Sequence, residues 1–245
     1  RSPGVLVVAE KVETAADFAR CVDHGFDLFQ GWYFAQPEVL ERPSRPVSAG
    51  AARALRNLVT GRDGSPVDVD AVEDLVSSDP SLLFRVIAAV DAAAFGLDTS
   101  VASIGQAIGL LGAEKLRCLA ELVAASGELF DDDERRVEGA VRARLAAHLL
   151  DGTDHVATGI TGALLSSTDR LYGAPIAELI AELPVEDEIA SAVVHGHGPV
   201  GWVLDVVRAL ERDDRRALDE LGVDDVDGLQ RLRTQMTNEL AARGA

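Results

Sequence analysis

The sequence predicts a mainly all-α protein with one short β-α-β segment at its start, and three observations carry that prediction. Hydrophobic residues make up 47% of the 245 positions but aromatic ones only 4%, so the apolar content is Ala, Val and Leu, which suits close-packed helices. Apolar residues recur at three- and four-residue spacing from about residue 48 onward, whereas the strand-like runs, Val5 to Ala9 and Phe26 to Phe29, lie near the start. Pro37, Pro43 and Pro46 fall among Glu38, Glu41, Arg42 and Arg45, a polar and proline-punctuated connection. The expected organisation is a β-α-β piece over 1–37, a linker over 38–47 and a helical domain over 48–245.

In chain order, Val5 to Ala9 reads as a strand buried on both faces. Thr14 caps a helix over Ala15 to Asp23, with Phe18, Cys21 and Val22 on one side and Gly25 as its stop. Phe26 to Phe29 is the second strand. Ser48 caps a helix reaching about Val59, and Asp68 caps another that carries Val69, Val72, Leu75 and Val76. Asp79-Pro80 is a strong helix opening, an acceptor followed by a ring with preset φ, and Leu83, Val86, Ile87 and Val90 then face a core. Ser103 begins a helix that Gly112 ends, and Leu116, Leu119, Leu122 and Val123 continue the series. Asp131-Asp132-Asp133-Glu134 opens a long helix with Val137, Val141, Leu145 and Leu149 on one stripe. Pro175, Pro184 and Pro199 cut the remainder into short helices, the last from about Val226 to Ala242, and strands are essentially missing after residue 34.

Charge narrows the function classes. With 23 Lys and Arg against 41 Asp and Glu the net charge is −18, which argues against nucleic acid or an anionic membrane as partner, because both demand clustered cations. Cys21 and Cys118 make neither a disulfide framework nor a zinc site and fit a reducing cytoplasm. No stretch has the roughly 18 apolar residues that span a bilayer, and no leader pattern opens the chain. Beginning at Arg1 with a strand at once, the sequence reads as a piece of a longer chain. Arg135, Arg136, Arg142 and Arg144 read as one solvated basic helix face compensated by nearby acids.

Ala9-Glu10-Lys11-Val12-Glu13-Thr14, then Gly25-Phe26-Asp27-Leu28-Phe29-Gln30-Gly31-Trp32-Tyr33-Phe34 and Pro37, resembles the end of EAL domains, the cyclic di-GMP phosphodiesterases. The resemblance implies a modified β/α barrel with Mg²⁺ or Mn²⁺ held by carboxylates at strand ends. It makes Glu10 a metal-associated glutamate, Glu13 a supporting glutamate and Gln30 a substrate- or water-contacting glutamine. Carboxylates at such a barrel mouth can activate water against a phosphodiester. The Glu-Ala-Leu signature, the acidic pair and the catalytic Lys are absent from these residues, and Lys11 stands where active members more often carry Gly, so the fragment is expected to be inert.

A second resemblance covers roughly residues 48 to 210. Asp79-Pro80-Ser81-Leu82, Phe95-Gly96, Ser103-Ile104, Gln106-Ala107-Ile108 and Leu111-Gly112 are similar to HDOD domains, helical relatives of the HD metal phosphohydrolases. Asp91-Ala92 departs from the Asn-Ser that many of them carry. Gly162 to Asp169 and Ile176 to Pro184 look like the version fused behind a degenerate EAL domain. The resemblance places Ser166-Ser167 where true HD enzymes keep the His-Asp dyad, and hydroxyls are weak ligands for a dication.

His195 and His197 form a His-X-His in a glycine-rich run; an exposed turn is the ordinary reading, and a metal pair aided by Glu186 or Asp187 the other. Trp32, Tyr33 and Phe34 are expected at the interface of the two parts, and Trp202 to anchor the last helices. The expectation is a cytoplasmic, non-catalytic signalling module that needs no cofactor and meets a protein partner, a homodimer being one form of that. Its rival is part of an active phosphodiesterase when the barrel is complete. The apolar strands are expected either to dock on the helices or to exchange with another copy.

Overall fold

The Thr14 hydroxyl accepts the Asp17 amide at 3.1 Å while the Asp17 carboxylate accepts the Thr14 amide at 3.1 Å, and this reciprocal cap starts α1 (Ala15–Asp23). The helix connects β1 (Val8–Ala9) to β2 (Leu28–Phe29), which pair in parallel with Val8 opposite Leu28 and Ala9 opposite Phe29. Phe18 of α1 meets Phe29 edge to face, ring centres 4.9 Å apart, so the helix covers one side of the pair. Val22 is exposed rather than part of that contact, and Val8 and Leu28 stay 45% and 49% exposed.

The computed structural model describes residues 7–12, 14–30, 46–59, 67–93, 100–125, 129–130 and 133–244. Contacts divide the chain into two units, Arg1–Pro43 and Ser44–Ala245. Glu13, the linker over 38–45, the Trp32-Tyr33-Phe34 run, Phe95-Gly96 and Asp131-Asp132 lie outside the described residues.

The second unit runs through β3 (Val47–Ser48), α2 (Ala49–Val59), α3 (Val69–Val76), α4 (Pro80–Ala93), α5 (Ile104–Ala125), β4 (Leu129–Phe130) and α6 (Asp133–Leu149). It continues through α7 (Val156–Leu165), α8 (Thr168–Tyr172), α9 (Ile176–Ala181), α10 (Asp187–His195), α11 (Gly198–Glu211), α12 (Arg215–Glu220) and α13 (Val226–Gly244). Side chains close the helix starts that the sequence marks. Ser48 accepts the Ala51 amide, Asp68 the Ala71 amide and Asp79 the Leu82 amide, at 3.1, 3.1 and 3.0 Å. The Ser81 hydroxyl donates to Asp79 and accepts the Ser48 amide, which ties β3 to the start of α4. Gly112, at φ 69° and ψ 168°, interrupts α5, a conformation that side-chain-bearing residues seldom adopt, and the helix resumes toward Leu116.

Strands after residue 34 are few among the described residues, in line with the expectation: β3 and β4 pair in parallel over two residues each, and Val101 bridges Val185. Two residues are too few to show an alternating pattern, so nothing in the sequence marks them. Val69 and Leu122, expected on core stripes, are 47% and 68% exposed: Val69 is the first residue of α3, and Leu122 lies off the buried α5 face of Leu116, Ala120 and Val123.

The core centres on α6, which packs against α4, α7, α11 and α13. Leu145 and Ala146 of α6, Leu164 and Leu165 of α7, Leu83 and Ile87 of α4, and Val200 and Val203 of α11 are all fully buried. Close approach of α4 to α6 depends on Gly139, where a Cβ would lie 2.2 Å from Pro80 Cγ and 3.1 Å from Ser167 Oγ.

Candidate functional site

Glu10 follows β1 and Gln30 follows β2, so both stand at the carboxyl ends of a parallel pair, one step beyond Ala9 and Phe29 in register. The backbone holds that placement: the Gln30 amide donates to Ala9 at 2.8 Å and the Val12 amide to Gln30 at 3.1 Å. Lys11 between them turns the chain at φ 60°. Both Glu10 and Gln30 are exposed, and Glu10 lines a cavity of about 290 Å³ with Lys11, Asp17, Arg20 and His24. The hydrogen bond from Thr14, then the Arg20 guanidinium, hold the Asp17 carboxyl below the usual carboxylate range. Glu10 is the one described member of the carboxylate set that the EAL resemblance implies, and a single exposed carboxylate does not fit a two-metal centre.

In the helical unit, Ser166 ends α7 and Ser167 precedes α8. Both hydroxyls are buried and turned back on the helix: Ser166 donates to Ala163 at 2.8 Å and Ser167 to Leu164 at 2.6 Å. Against Ser166 lies Arg142 of α6, only 3% exposed, and its Nη1 donates to the Ser166 carbonyl at 2.9 Å and hydroxyl at 3.2 Å. The remaining nitrogens fork onto Glu211 at the end of α11, Nε to Oε1 at 2.6 Å and Nη2 to Oε2 at 2.7 Å. Glu211 also has Arg170 of α8 at 3.7 Å, and Arg170 has Glu138 of α6 at 3.6 Å. The expected solvated basic face therefore fails at Arg142. Helix α6 is surrounded, so a position beside the apolar stripe is also buried, and the guanidinium is neutralised by a carboxylate far along the chain. Arg144 of the same set does reach the surface, 3.6 Å from Glu239.

Chemically, the surroundings of Ser166 and Ser167 do not fit a divalent metal. The seryl oxygens already hold protein partners, and a fixed guanidinium repels a second cation at that range. Sequence reasoning missed Arg142 and Glu211, and their only signal is a charged residue beside an apolar stripe on each helix.

His195 ends α10 and His197 immediately precedes α11, the two rings 5.7 Å apart across Gly196. His197 Nδ1 lies 3.1 Å from the Ser191 hydroxyl. Glu186 and Asp187 are at the opposite end of nine-residue α10, roughly 13 Å away at helical rise, so the structure does not bring them to the histidines. Among the described residues, no three His, Cys, Asp or Glu side chains come together as a metal-binding group. No described helix is long and apolar enough to cross a membrane.

Residues 49–159 match the HDOD domain model, so an HDOD domain is present in the helical unit, with Ser166 and Ser167 just beyond the matched stretch. Two curated relatives extend over nearly the whole chain. One, from Vibrio cholerae serotype O1, is named cyclic di-GMP phosphodiesterase CdgJ and is 28% identical over 237 residues, 92% of this chain and 53% of its own. The other, YuxH of Bacillus subtilis strain 168, is 25% identical over 89% of this chain and 54% of its own. The chain thus spans about half the length of these relatives. Among solved structures, a fragment of the MmoQ response regulator of Methylococcus capsulatus shares the fold at a TM-score of 0.53 and 18% identity, covering 79% of this chain and 91% of that one.

Proposed function

We propose that this chain is a non-catalytic signal-transduction module of a bacterial cyclic di-GMP signalling protein, acting in the cytoplasm. Its first unit is the closing β-α-β of an EAL barrel, and its helical domain engages a protein partner. The observation that carries the reading is the buried Arg142 guanidinium on Ser166, which sets a protein cation where the HD resemblance puts metal ligands. The HDOD match and the name of the Vibrio relative support the signalling role. The partner contact is expected on the helical unit, and pull-down with the intact chain identifies it. Incubation of the chain with cyclic di-GMP, Mg²⁺ and Mn²⁺ is expected to yield no linear dinucleotide; turnover would refute the reading.

A second reading is favoured by the same Vibrio name and by the placement of Glu10 and Gln30 at neighbouring strand ends. In a complete barrel those residues, with Glu13, belong to an active cyclic di-GMP phosphodiesterase that takes Mg²⁺ or Mn²⁺. Activity of the longer protein that vanishes in Glu10→Gln would establish it.

A further inference from the structure

Between α6, α8, the end of α11 and α13 lies a cavity of about 550 Å³ whose wall is unusual for so acidic a chain. Arg136, Arg170, Arg212 and Arg233 line it against three glutamates, whereas the whole chain carries 41 acids to 23 bases. These arginines are not all engaged. Arg212 is exposed and makes no side-chain hydrogen bond or ion pair among the described residues. Arg170 is ion-paired with Glu138 at 3.6 Å and with Glu211 at 3.7 Å, beyond hydrogen-bond range in both cases, and Glu211 is also held by Arg142. The Arg212 fork is thus available and the Arg170 fork is held by long ion pairs only, and such paired N–H groups have the geometry that grips phosphate.

The rest of the wall narrows the ligand. Glu134 and Thr237 offer acceptors, and Val137, Val141 and Ala241 an apolar surface. A bare polyanion would meet carboxylates on one side, while a nucleotide has a phosphate for the arginines, donor groups for the acceptors and a flat ring for the apolar side. The volume suits a ligand of that size. We propose that the cavity between α6, α8, α11 and α13 binds a nucleotide, with its phosphate held by Arg170 and Arg212. The inference goes beyond the reading above, since a mononucleotide satisfies it without any role for cyclic di-GMP.

Isothermal titration of the full chain with GMP, AMP and cyclic di-GMP, at low salt and with chelator, tests it. At least one is expected to bind with one-to-one stoichiometry. Arg212→Ala is expected to weaken that binding about tenfold or more, the size of one charge-assisted hydrogen bond. Raising the salt is expected to weaken it too, and Arg216→Ala, at an exposed side chain of α12 away from the cavity wall, to leave it unchanged. Binding of GMP or AMP alone assigns a mononucleotide site and of cyclic di-GMP alone a dinucleotide site. No binding of any of the three, or binding that Arg212→Ala leaves intact, overturns the proposal. Circular dichroism of the variants keeps a folding defect separate from a lost contact.

Discussion

Arg142 and Glu211 meet side-on in the helical unit, two parallel hydrogen bonds of 2.6 and 2.7 Å joining the middle of α6 to the end of α11. The side chains are 4% and 18% exposed, so neither charge is left to bulk water.

Breaking that pair from one side is expected to cost more than removing it whole. Arg142→Met strands the Glu211 carboxylate and Glu211→Leu strands the guanidinium, each losing about 3 kcal/mol of stability; the double variant is expected to lose clearly less than the sum. Urea denaturation of all four chains measures this. Additive losses would mean that the two residues act separately.

Close helix contacts give a second expectation. A Cβ at Gly201 would stand 2.2 Å from the Gly196 carbonyl carbon, backbone that cannot yield, while one at Gly139 meets the Pro80 ring at the same 2.2 Å. Gly201→Ala and Gly139→Ala are each expected to destabilise by roughly 1–3 kcal/mol, with Gly201 the worse. Gly109, inside α5 with open space around it, is the control: alanine there is expected to stabilise by about 0.5–1 kcal/mol. Thermal melts order the three.

The first unit has its own pH signature. The folded Asp17 carboxyl titrates below its unfolded value because the Thr14 hydroxyl, and then Arg20, favour the anion. A group so depressed adds stability above the ordinary carboxylate pKa, and that contribution is lost as pH falls through the folded value. In Thr14→Ala, the Asp17 carboxyl resonance followed by NMR is expected to titrate at higher pH than in the parent. An unmoved titration would show that the cap does not set it.

Local signals proved legible where the chemistry is local. Thr14, Ser48, Asp68 and Asp79 each cap the helix that follows, because a short polar side chain and the amides it serves are three residues apart. The stripe Leu83, Val86, Ile87 and Val90 is buried as its spacing implies. The pairing of β3 with β4 was not legible, since its partners lie far apart and each is two residues long. Arg142 was misread for a related reason. Helix α6 buries Ala140, Ala143 and Ala146 as well as Val137, Val141 and Leu145 of the expected stripe, so periodicity does not say which arginine faces inward. The answer depends on Glu211, 69 residues later. At the site, Glu10 and Gln30 were named from a motif and share a sheet end, whereas the arginine-lined cavity draws on four helices and has no continuous sequence mark.

Equilibrium dialysis of the intact chain against Mn²⁺, with metal analysis of the protein, addresses the non-catalytic reading most directly. With a guanidinium already bound to Ser166, the chain is expected to retain no stoichiometric Mn²⁺. One equivalent of metal, retained by the parent and released by Ser166→Ala or Ser167→Ala, would contradict it.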